Sequence, residues 1–70
     1  MGGATPDVQS LLADAVRYHQ AGHLDEAIAL YRQALVLSPE NAGIHNNLGT
    51  ALCEQGKLEE AQSSYRLALA

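Results

Sequence analysis

The stretch GHLDEAIALYRQAL, residues 22–35, returns as GKLEEAQSSYRLAL over residues 56–69, and this repetition limits what the chain can fold into. Gly22 matches Gly56, Leu24 matches Leu58, Glu26 matches Glu60, Ala27 matches Ala61, Tyr31 matches Tyr65 and Arg32 matches Arg66, all at one offset of 34. A period of this length marks stacked supersecondary units, none of which can bury its apolar face alone. Within each copy the shared apolar residues fall at helical spacing: Leu24, Ala27, Tyr31, Ala34 and Leu35 share one face, as do Leu58, Ala61, Tyr65, Ala68 and Leu69. Each copy is predicted to be an amphipathic helix opened by a glycine turn. Asp25 and Glu26, like Glu59 and Glu60, fall in the first turn, where carboxylates complement the helix dipole.

The flanking segments complete the pattern. Residues 1–5 have no periodicity and read as a flexible lead-in. Thr5, Pro6 and Asp7 read as N-cap, first helical residue and dipole-matched acid, so a first helix is expected from Pro6. Its apolar residues Val8, Leu11, Leu12, Ala15, Val16 and Tyr18 form a broad stripe, and Gly22 ends it. The second helix runs to about Leu37. Pro39 cannot extend it and Asn41 can cap the next, which makes Ser38, Pro39, Glu40 and Asn41 a turn. A third helix is expected over about 42–55 and a fourth over about 57–69. Short turns between four helices imply antiparallel neighbours in an all-α fold. Residues 6–41 form one unit and 42–70 a second, which lacks its C-terminal turn and a capping helix.

Composition removes several classes of function. Seventy residues make one small domain of marginal stability, and with three Tyr, no Trp and no Phe its core must be built from Leu, Ala and Tyr. The formal charge is −4, and Arg17, Arg32, Lys57 and Arg66 are scattered singly, which argues against a nucleic-acid or anionic-membrane surface. A single cysteine, Cys53, excludes an internal disulfide and suits a reducing compartment. No apolar run reaches membrane-spanning length, and the N-terminus lacks the charged and apolar regions of a signal peptide. The opening MGGATP fails as a myristoylation signal because Pro6 stands where Ser or Thr is required. A cytoplasmic location is expected.

From Val8 to Ala70 the chain resembles the tetratricopeptide repeat family, whose pattern is W-x2-L-G-x2-Y, then A-x3-F, then P. Leu11, Asp14, Ala15, Tyr18, Ala27, Tyr31 and Pro39 hold those slots in the first repeat; His45, Leu48, Gly49, Leu52, Ala61 and Tyr65 hold them in the second. The resemblance implies two helix-turn-helix repeats, the start of an α-solenoid. Ala15, Ala27, Gly49 and Ala61 are then small where helices approach, and Tyr18, Tyr31, Leu52 and Tyr65 fill the gaps. Asp14 replaces the family's Leu in a slot that packs on a preceding repeat, so it is expected to face water with no repeat before it. At the other end Ser63, Leu67, Leu69 and Ala70 have no solvating helix after them. They mark either the cut edge of a longer array or a surface for self-association.

The family lays peptide ligands along the first helix of each repeat. Here that face carries Gln9, Leu12, Ala13, Val16, His19 and Gln20, followed by Gly43, Asn46, Asn47, Thr50, Cys53 and Glu54. The run from His45 to Gly49 resembles the repeats of O-linked N-acetylglucosamine transferases, which implies that Asn47 holds peptide backbone through its amide. Ala13 occupies the equivalent slot in the first repeat, so that ladder has one rung. The family's carboxylate clamp for acidic tails needs Lys or Arg in the groove, where this chain has none and Glu54 would repel the ligand. His19 and His23 have the spacing of helical zinc ligands, but Gly22 separates them and no third ligand is placed. Cys53 has no positioned base. The expectation is a non-catalytic scaffold with no cofactor and no metal, binding protein or peptide, with homo-oligomers as the alternative.

Overall fold

The computed structural model describes residues 7–70. Among these the chain forms four helices: α1 (Val8–Gln20), α2 (Leu24–Leu37), α3 (Ala42–Glu54) and α4 (Leu58–Leu69). α1 packs on α2 and α3 on α4, and the two hairpins meet through α2 and α3.

The glycine turns inside the two hairpins have one geometry. Gly22 has φ of 83° and Gly56 has φ of 82°, a region open to glycine at little steric cost. After α1 the Gly22 N–H donates to the His19 carbonyl and the His23 N–H to the Tyr18 carbonyl. After α3 Gly56 and Lys57 repeat those bonds to Cys53 and Leu52. This paired arrangement satisfies carbonyls that a helix end would leave open. The helices that begin each repeat have side-chain caps instead. The Asp7 carboxylate accepts from the Ser10 N–H at 2.7 Å, and the Asn41 side chain accepts from the Ile44 N–H at 3.1 Å.

Asp7 corrects the expected start of the first helix. It has extended backbone and caps the helix rather than lying in its first turn, because its carboxylate reaches the N–H three residues on and satisfies an open donor. Thr5 and Pro6, read as cap and first helical residue, lie outside the described residues.

One core joins both hairpins. It contains Leu11, Ala15, Ala27, Ile28, Tyr31, Ala34, Ile44, Leu48, Ala51, Leu52 and Ala61. Ala15, Ala27 and Ala61 are fully buried where helices approach. At Gly49 a Cβ would stand 2.8 Å from the Tyr65 ring, so the second hairpin uses the absence of a side chain to bring α3 and α4 together. His45 takes the slot held by Leu11 in the first repeat. It is buried, and its Nε2–H donates to the Pro39 carbonyl at 2.8 Å, fastening α3 to the turn before it.

Two apolar residues, Tyr18 and Leu58, depart from the expected packing. Tyr18 is exposed and meets His23 edge-on, with ring centroids 6.1 Å apart, instead of filling a gap. Leu58, placed by its periodicity on the packed face, is 59% exposed, and Leu69, which shares that periodicity but falls on the edge expected to be uncovered, is 88% exposed. Their equivalents Leu24 and Leu35 are half-buried against the core because α3 lies over α2. No described helix lies over α4 in the same way.

Candidate protein-interaction surface

α1 and α3 carry the residues expected to face a peptide. Gln9, Ala13, Gln20, Asn46, Cys53 and Glu54 are exposed, while Leu12, Val16, His19, Asn47 and Thr50 are half-buried. The C-terminal ends of the two helices are tied together by His19. Its Nε2 lies 3.1 Å from Glu54 Oε1, and its Nδ1 lies 2.9 Å from the Tyr31 hydroxyl. A carboxylate only accepts, so in the neutral ring Nε2–H donates to Glu54 and Nδ1 accepts from the Tyr31 O–H. One imidazole therefore connects α1, α2 and α3.

Tyr31, at the base of this connection, is 1% exposed. Burial, and secondarily the Glu54 carboxylate, push its phenol above its usual pKa of about 10.

The second repeat has a different polar arrangement at the same place. The Thr50 hydroxyl donates to the Asn46 carbonyl at 3.1 Å, leaving its oxygen to accept from the Tyr65 hydroxyl, also at 3.1 Å. Cys53, the repeat equivalent of His19, sits 3.9 Å from the same hydroxyl as a free, exposed thiol. Thr50 and Cys53 are thus brought together around Tyr65, and His19 and Glu54 around each other. The remaining expected residues line the face as separate side chains.

The His19–Glu54 pairing was not foreseen from sequence. Its signal is that Cys53 is the 34-residue equivalent of His19, so the next residue, Glu54, emerges one repeat along at the same end of the face. His23, read with His19 as a possible zinc pair, lies beyond the helix against Tyr18. Among the described residues no cluster of three or more His, Cys, Asp or Glu side chains could hold a metal ion.

At the opposite edge Ser63, Leu67, Leu69 and Ala70 are all exposed. Leu67 and Ala70, with Pro39, Glu40 and His45, line an open cavity of about 280 Å³ beside the turn between the repeats. Among the described residues no helix is long and apolar enough to cross a membrane.

Two antiparallel hairpins at a 34-residue period, stacked through the second helix of one and the first helix of the next, define an all-α helical-repeat protein. The chain belongs to the tetratricopeptide repeat family. One TPR repeat model matches residues 15–52, more than half of the chain, and a second tetratricopeptide repeat model matches residues 42–70. Both are general to the repeat and single out no parent protein. The chain is 42% identical over 52 residues to an uncharacterized protein of Haemophilus influenzae, covering 74% of this chain and 29% of that one. It is 46% identical over 57 residues to an uncharacterized protein of Sinorhizobium fredii, covering 80% and 31%. A TPR repeat-containing thioredoxin of Arabidopsis thaliana is 46% identical over 43 residues, covering 61% and 6%. The chain thus spans less than a third of the length of each of these relatives. Repeats of this family generally mediate protein–protein interaction and are typically non-catalytic.

Proposed function

We propose that this chain is a non-catalytic scaffold that receives an extended peptide along α1 and α3, with the repeats meeting between Asn41 and Ala42. The observation that carries this reading is the His19 bridge to Glu54 and Tyr31, which holds the first helices of both repeats in one register. Asn47 supplies the main anchor: its amide both donates and accepts, matching a peptide unit without reading its side chain. The likeness of residues 45–49 to glycosyltransferase repeats favours the same role. A single rung contributes about 0.5 to 1.5 kcal/mol per hydrogen bond, against roughly 8 kcal/mol for micromolar affinity, so binding to these two repeats alone is weak. The free thiol of Cys53 and the scattered basic residues suit a reducing, cytoplasmic setting without nucleic-acid or membrane partners.

The test is a titration of isotopically labelled chain with an uncharged, capped Gly/Ser/Thr peptide, followed by amide chemical shifts. Shifts concentrated at Asn46, Asn47, Thr50 and Glu54, and lost in Asn47→Ala, are expected. Shifts elsewhere, or none up to the highest soluble peptide concentration, would overturn the reading. An acidic peptide with a free C-terminus should bind less well still, because Glu54 repels it and the face offers no Lys or Arg.

A second reading is favoured by the exposed leucines of α4: the chain associates with copies of itself through that helix, around Leu67 and Leu69, which are 56% and 88% exposed.

A further inference from the structure

We infer that α4 is a self-complementary docking helix, and that a second copy of this chain lies antiparallel across it in a closed, two-fold dimer. This inference rests on the self-association reading and specifies its surface, register and stoichiometry.

The surface follows from the repeat offset. On α2, which packs against both α1 and α3, Ile28 and Tyr31 are buried and Leu24 and Leu35 half-buried. The same four positions in α4 are Leu58, Gln62, Tyr65 and Leu69, with Leu58, Gln62 and Leu69 exposed. Their four-three-four spacing is that of a two-helix seam. Leu67 lies on another side of α4, over the turn between the repeats.

The register follows from the order of side chains along that seam. In an antiparallel pair Leu58 falls opposite Leu69 of the second copy, and Gln62 falls opposite its Tyr65. The two-fold axis repeats both contacts. Glu59 and Arg66 are seven residues apart, so they flank the seam on the same side. Antiparallel pairing sets Glu59 of one copy beside Arg66 of the other, twice, whereas parallel pairing would put the two on opposite sides of the seam and leave this charge pair unmade. Glu59 and Arg66 are both exposed. Gln62 is a polar residue in the seam, a substitution that fixes register at some cost in stability.

The stoichiometry follows from the opposite edge of the chain. α3 buries Ile44, Leu48 and Ala51, and the equivalent positions of α1 are Ser10, Asp14 and Arg17. Asp14 and Arg17 are ion-paired and partly open to water. Head-to-tail docking of α1 onto α4 of another copy would bury that pair against leucine, with a desolvation penalty its attraction does not offset. An open filament is thereby disfavoured and the assembly closes at two.

Sedimentation equilibrium of the 70-residue chain across a concentration series, in reductant so that Cys53 cannot cross-link copies, tests this. A monomer–dimer equilibrium that goes no further is expected. Leu69→Glu should weaken the dimer by about ten-fold or more, and it threatens no fold because Leu69 is exposed in the single chain. Arg66→Glu should weaken it about three-fold, and adding Glu59→Arg should restore it. Monomer at every concentration overturns both the inference and the self-association reading. Growth beyond two copies, a dimer that survives Leu69→Glu, or a charge reversal without rescue overturns the inference and leaves that reading standing.

Discussion

The two repeats place similar residues in different surroundings. Tyr31 and Tyr65 stand 34 residues apart in matching helices, yet Tyr31 is fully enclosed and Tyr65 is half-buried. Ile28 is buried, while its equivalent Gln62 lies in the open. Tyr31 reports to His19 and through it to Glu54 in the next repeat, whereas Tyr65 is satisfied within its own hairpin by Thr50. The difference lies in what covers each second helix. α2 has α3 against it and α4 has no described helix in that place, so one residue type is core in one repeat and edge in the other. In a stacked repeat the interface between units decides burial as much as the unit itself.

The sharpest way to break this comparison is to truncate both tyrosines. Tyr31→Ala should cost about 3 to 5 kcal/mol, as for a large ring removed from a packed core, and Tyr65→Ala distinctly less. Equal losses in urea denaturation would mean that α3 does not shield α2 as described. A milder exchange probes the neighbouring pair. Ile28→Gln should destabilise by about 2 to 4 kcal/mol, because it removes buried aliphatic surface and leaves an amide without water, while Gln62→Ile should change monomer stability by no more than about 0.5 kcal/mol. A destabilising Gln62→Ile would show that the exposed seam of α4 is already packed.

A smaller loss than either core substitution concerns the tyrosine hydroxyl. Tyr31→Phe should cost about 0.5 to 1.5 kcal/mol at neutral pH by releasing His19. It should also flatten the alkaline loss of stability. The Tyr31 phenol is raised by burial first and by Glu54 second, so above pH of about 10 the unfolded chain gives up this proton before the folded one does. Stability therefore falls as pH rises through that range, and the phenylalanine variant lacks this contribution. Denaturation midpoints at pH 7 and pH 10.5 check it; parallel declines in both proteins would remove the role assigned to Tyr31.

Much of the architecture was legible in local pattern. Gly22 and Gly56 mark the hairpin turns, Asn41 caps α3, and small residues at Ala15, Ala27, Gly49 and Ala61 mark close helix approach, because each depends on backbone chemistry or on side-chain volume at fixed spacing. The helix start was misplaced by two residues, since both Thr5 and Asp7 are good caps and sequence does not rank them. The candidate face was legible as a set of residues and not as a network. Helical periodicity puts His19 and Glu54 on their helices, but only the stacking angle between hairpins brings an imidazole within 3.1 Å of a carboxylate 35 residues away.

The 34-residue period by itself determined two helical hairpins and the side of each helix that faces its partner, because helical spacing and turn chemistry act within a few residues. Tertiary structure alone decided which of two equivalent faces is covered: whether a leucine at the end of a second helix is half-buried against the core, like Leu35, or bare, like Leu69, depends on a neighbour that local sequence does not contain. Burial is a property of contact between units, and the same periodic stripe serves as interior or as docking surface according to what lies against it.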